Sequence, residues 1–300
     1  MNLFFDEVVA FVNENPDILE LRILKAVQIQ KFLVSNIVAI LPDHFSLLEL
    51  PSIAPPYPNL WFEWAIDQNP MRKYGVFLTS QKDEYGWDCT FIFFYGSPNN
   101  RSPVYFFPIG ASYLIPPNGR YSEETLFKYV LMPSMERPSE AVAKDLIQLV
   151  AENFLSLLFF TLGLLHCKNI VLEERGGINP EIKNRRHRSK GTRHHVLQIM
   201  PGRETKRTIY EQPGKGSPQS LHIRRGHFKE YTIEKPLFGK YIGVFWWEAH
   251  VAGKAEIGTV TKDYQILPQK KVIGLTRQVT VGRENAADSA DQLYSSPICS

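Results

Sequence analysis

The sequence predicts an α+β protein in which N-terminal helices, an antiparallel sheet and a long central helix precede a basic β-rich module. Three observations carry that reading. Apolar residues recur at three- and four-residue spacing near the N-terminus and again over 139–167. Short aromatic and β-branched runs begin at Leu60, and positive charge collects late in the chain. At 300 residues and 44% hydrophobic composition, the chain is long enough to fill a real core. The expected division is a helical and antiparallel β body over 1–180, the basic module over 181–268 and a disordered tail over 269–300. The ending ENAADSADQLYSSPICS lacks both periodicity and aromatic core formers.

The helical spacing predicts helices over 3–14 and 16–41. Asn15, Pro16 and Asp17 supply a cap, a first-turn proline and an acidic first turn, and Pro42 ends the second helix. The proline-rich stretch 51–58 reads as an extended connector. LWFEWAI, YGVFLTS, DCTFIFFYG and PVYFFPIG then read as successive strands of one antiparallel sheet, with turns at 83–86 and 97–102. Their rings are expected to form sheet core. Residues 139–167 give the central buried helix, closed at 174–177. Later strands are expected at 194–200, 220–232, 239–253 and 258–266, with EQPGKGSPQS as a loop.

Several chemistries are disfavoured by what is missing. Cys89, Cys167 and Cys299 are too few and too scattered for a disulfide framework or a thiolate cage, which predicts a cytoplasmic address. The first residues are acidic ahead of their apolar run and lack a small-residue cleavage site, so they do not read as a secretory signal. The most apolar stretch, 154–165, has about 12 residues where a bilayer span takes roughly 20, and no membrane partner is expected. GRETKRT and GKGS lack phosphate-loop spacing, so no cofactor is assigned. Six of the eight histidines fall between His187 and His250, yet no pair has helical metal-ligand spacing and no metal site is expected.

Charge is segregated. Lys and Arg minus Asp and Glu comes to −7 for 1–180, +9 for 181–230 and +1 thereafter. An acidic body carrying a basic segment suits a polyanionic partner, DNA or RNA. In LHIRRGHFKEY, alternation along one strand puts His222, Arg224, Gly226 and Phe228 on one face and Arg225, His227 and Lys229 on the other. In GKYIGVFWWEAHVAG, Trp246, Glu248 and His250 share a face opposite Trp247. Arg185, Arg186, Arg188, Arg224, Arg225 and Lys229 are therefore the candidate phosphate contacts, and Trp246 and Trp247 the candidate stacking platform. An alternative is metal-independent phosphodiester cleavage, with His227 and His250 moving protons, Arg225 or Lys229 stabilising charge, and Glu248 or Tyr264 assisting. A third reading is an interaction factor that turns the same surface on a host protein. Against all three stands a plainer one, in which His222 and the tryptophans fill a small core while the charges solvate it.

The order LGLLHCKNIVLEE, NRRHRSKG, HHVLQI, HIRRGHFKEY, GVFWWEAHVAG and KDYQI resembles a family of uncharacterised proteins of bacteriophages and prophage-bearing bacteria. The similarity spans residues 155–266, and WFEW at Trp61 to Trp64 matches a phrase of that family's N-terminal part. The resemblance implies a mobile-element setting, for instance as an inhibitor of a host system, and carries no catalytic assignment. The sequence reads VAG at Val251 to Gly253, where the family pattern has an arginine before the glycine.

Overall fold

Aromatic and β-branched alternation builds one large sheet. The computed structural model describes residues 3–42, 45–66, 72–96, 104–107, 109–122, 125–131, 139–177, 191–200, 220–252 and 254–259. Strands β1 (Gln30–Leu33), β2 (Asn59–Ile66), β3 (Arg72–Asp83), β4 (Gly86–Gly96), β5 (Val104–Phe106), β6 (Ile109–Ile115), β7 (Leu126–Leu131), β8 (Ile170–Gly177) and β9 (Gly191–Ile199) form it. Their order is β7-β6-β4-β3-β2-β1-β9-β8, with β5 also on β4. Pairing is antiparallel except where β1 runs parallel to both β2 and β9. The content is thus mixed, a mainly antiparallel sheet with few helices.

The β3–β4 turn forms where expected, because the Asp83 carboxylate accepts from the N–H groups of Tyr85 and Gly86. The 97–102 turn lies outside the described residues. The helix expected over 16–41 is corrected. Its span holds a 3₁₀ turn, two four-residue helices, α2 (Ile23–Ala26) and α3 (Ser35–Val38), and between them β1. Phe32 stacks on Phe62 at 5.4 Å and is buried, so central placement in the sheet outweighs local helical spacing. The closing turn read at 174–177 is likewise the end of strand β8.

Helix α1 (Phe4–Glu14) covers one face of the sheet and packs on Trp61, Phe77, Ile92 and Phe94. The alternate residues of the same strands point the other way. Trp64, Tyr74 and Phe93 meet Phe154, and Phe91 meets Phe159. Phe154 and Phe159 belong to the span 140–165, which is helical in three consecutive segments: α4 (Glu140–Val150), a π-helical turn (Ala151–Leu155) and α5 (Ser156–Leu165). Leu157 through Leu164 are all buried. A helix apolar all round needs cover on every side, and the sheet supplies only one.

The cover on the other side comes from late strands, which differ from the expected ones. The strand read over 220–232 is two, β10 (Ser220–Arg224) and β11 (His227–Tyr231), and that read over 239–253 contains β12 (Gly243–Trp247) and β13 (His250–Ala252). β11 and β12 form a two-stranded hairpin, while β13, β10 and β14 (Lys254–Thr259) form a separate three-stranded sheet. The strand expected at 194–200 corresponds to β9, in the main sheet. The chain divides into units 1–265 and 266–300; the second, like the tail expected over 269–300, lies outside the described residues. Among the described residues no helix is long and apolar enough to cross a membrane.

Candidate nucleic-acid interface

The β11–β12 hairpin has two unlike faces. Cross-strand partners share a face, and the register pairs His227 with Trp247, Phe228 with Trp246, Lys229 with Phe245 and Tyr231 with Gly243. Phe228 and Trp246 face inward. Their rings are 4.8 Å apart, and each meets Phe160 of α5, at 5.7 and 5.0 Å. A Cβ at Gly226 would stand 2.6 Å from the Trp246 ring, and one at Gly163 would stand 3.3 Å from Phe228. Gly226 therefore admits the Trp246 ring within the hairpin, and Gly163 admits the close approach of Phe228 to the helix.

The hairpin is also fixed by hydrogen bonds from the α5–β8 connection. The Lys168 N–H donates to the Val244 carbonyl, the Asn169 side-chain amide donates to the Trp246 carbonyl, and the Trp246 N–H donates back to the Asn169 Oδ1. Asn169 in turn accepts from the Met200 N–H through its own carbonyl, which ties the hairpin to the end of β9. At the opposite strand, Arg120 pairs with Glu230 at 2.9 Å, an exposed contact that adds little energy but removes one carboxylate from the local field.

The outer face then carries His227, Lys229 and Tyr231 from β11 and Phe245 and Trp247 from β12. The Lys229 ammonium lies 4.9 Å over the Tyr231 ring, and Tyr231 meets Phe245 edge-on at 5.7 Å. His227 is exposed, with Nδ1 3.1 Å from the Arg225 carbonyl, a contact that needs the proton on Nδ1 and leaves Nε2 the acceptor in the neutral ring. Arg225 itself is exposed at the start of the strand. Trp247 is half-buried, and its indole N–H is buried without a hydrogen-bond partner among the described residues.

Each expected contact residue can now be placed. Arg225, Lys229, His227 and Trp247 come together on the hairpin. Trp246 is corrected: at 3% exposure and packed on Phe160 it is core, so it offers no ring to a base. Arg224 does not share a strand with Phe228, because β10 ends before Gly226. It is instead the cross-strand partner of His250 in the three-stranded sheet. His227 and His250 thus stand in different sheets, and the side chains of Arg224 and His250 are outside the described residues, as are Arg185, Arg186 and Arg188 entirely. Glu248 is exposed just beyond β12. Among the described residues no group of three His, Cys, Asp or Glu side chains is placed to hold a metal.

A second polar constellation escaped the sequence reading. Glu63 is buried in the middle of β2, where it accepts from the backbone N–H groups of Phe4 and Phe5 and from the Trp61 indole N–H at 2.8 Å. Burial pushes its carboxyl up, partly offset by those three donors and by nearby His194. Beside it Asp6 accepts from the Thr192 hydroxyl, and Lys31, lowered by burial, lies 4.6 Å over Phe5. The visible clue was a lone carboxylate within the otherwise apolar run LWFEWAI. Glu63 satisfies the first N–H groups of α1 and so serves to seat that helix. Burial also pushes the Cys89 and Cys167 thiols up to about 12, which leaves both in the inert protonated form.

No protein-family model, curated protein or solved structure matches the chain.

Proposed function

We propose that the protein binds nucleic acid through the outer face of the β11–β12 hairpin. The observation that carries this reading is the side-by-side placement of His227 and Lys229 with Tyr231, Phe245 and Trp247 on one short ladder, with exposed Arg225 just ahead of it. Cations neutralise phosphates without regard to sequence, and rings accept bases by stacking. The excess of positive charge over 181–230 supports the same reading, since it adds a long-range field that draws polyanions to this part of the chain. The resemblance of residues 155–266 to phage-associated proteins is the ground for setting the activity in a mobile-element context.

The cleavage alternative gains no support from the described geometry, because His227 pairs with Trp247 while His250 belongs to another sheet. Binding is the reading tested first. Anisotropy of labelled DNA and RNA strands should rise on titration with the protein. Lys229→Ala should weaken binding to every sequence alike, and Trp247→Ala should weaken binding to single strands by about fivefold or more. Affinities unchanged in both variants would remove the hairpin face from the account.

A further inference from the structure

Residues 232–242 join the two strands, and their apex departs from what a turn alone would select. Leu237 and Tyr241 exchange both backbone hydrogen bonds, the Lys240 N–H donates to the Leu237 carbonyl and the Gly239 N–H to that of Pro236. Phe238 and Gly239 both lie in the left-handed region, at φ +53° and +69°. Hairpin turns of that hand favour asparagine, aspartate or glycine first, because a bulky side chain is strained there. Gly239 meets the demand and Phe238 does not.

Burial does not offset the strain. Phe238 is 66% exposed and Ile233 79%, with Tyr241 and Ile242 exposed beside them. The Lys240 ammonium lies 5.5 Å over the Tyr241 ring, repeating the Lys229–Tyr231 pair at the other end of the loop. Strain at a solvent-facing aromatic, held by a closed hydrogen-bond pattern, is the form a contact device takes.

We infer that this apex is a wedge for unpaired bases, so that the hairpin's substrate class is single-stranded nucleic acid rather than perfect duplex. The inference rests on the nucleic-acid reading above. A ring at a hairpin tip stacks where bases are already unpaired, while flanking ammonium groups meet the adjoining phosphates. Within a perfect duplex the same ring would first have to unstack a base step.

The test uses Phe238→Asn, which suits the backbone and should melt no lower than the parent chain. Binding is measured to a labelled oligothymidylate and to a labelled blunt duplex of equal length, with sedimentation run in parallel. The inference expects wild type to prefer the single strand, and the variant to lose roughly fivefold or more of that affinity with duplex binding unchanged. Equal single-strand affinity in variant and wild type overturns the wedge and leaves the hairpin face standing. No binding of either nucleic acid by wild type overturns both. A concentration-dependent dimer that Phe238→Asn abolishes also overturns the wedge, since it assigns the apex to a second copy of the chain.

Discussion

The side-chain amide of Asn169 stands in for a neighbouring strand, donating to the Trp246 carbonyl at 2.8 Å and accepting from the Trp246 N–H at 3.0 Å. Those two bonds lock the aromatic hairpin over α5, and with it the face proposed to meet nucleic acid. Asn169→Leu should cost about 1–3 kcal/mol, because both Trp246 backbone groups lose their partner. Hydrogen exchange would localise the loss: the Trp246 amide should become unprotected while β2 to β4 stay protected. Protection retained at Trp246 would show that the hairpin is held by its rings alone.

The adjacent tryptophans should behave as opposites. Trp246→Ala removes a buried ring from between Phe160 and Phe228 and should lower stability by about 3–5 kcal/mol. Trp246→Phe, which keeps the packing, should bind nucleic acid as wild type does. Trp247→Ala should lose less stability and more affinity. Urea melts paired with anisotropy titrations separate the two, and a binding defect confined to Trp246→Phe would reverse the assignment.

Gly226→Ala probes the seat of the Trp246 ring within the hairpin. An added methyl would stand 2.6 Å from the Trp246 ring, so the ring or strand must shift, at a cost of about 1–3 kcal/mol. The thermal midpoint should fall accordingly; a variant as stable as the parent would mean that the Trp246 ring packs less closely on the first residues of the hairpin.

The halves of the hairpin show what the sequence could disclose. Alternation in HFKEY and GVFWW correctly separates the neighbouring rings, but it is silent on which face is covered. Only α5, apolar on all sides, decides that Phe228 and Trp246 go inward. The break at Arg225 and Gly226 was invisible for the same reason: SLHIRRGHFKEY reads as one strand by composition, and the Trp246 ring that demands a glycine comes from far along the chain. Strand β1 is not legible as a strand, because QIQKFL carries helical spacing and its two parallel neighbours are remote in sequence. β2 to β4 were legible because consecutive strands pair with their neighbours and their turn chemistry is local.

Glu63 gives a pH dependence of unusual sign. Burial holds its carboxyl above the ordinary range, so the folded chain binds that proton more tightly than the unfolded chain does. Its contribution to stability is therefore full below the ordinary glutamate value and is lost as pH rises through the raised one. Glu63→Gln cannot titrate and should remove that component of the slope. The wild-type urea midpoint should fall relative to that of Glu63→Gln as pH rises from the acid side; parallel curves would contradict the assignment.

The central claim is tested most directly by the salt dependence of single-strand binding in wild type and in the double variant Arg225→Ala, Lys229→Ala. If the hairpin face meets phosphates, log affinity falls linearly with log salt, and losing two cations flattens the slope by about 1.4. A slope that the double variant leaves unchanged would place the phosphates elsewhere, and wild-type binding that is absent or indifferent to salt would contradict the account outright.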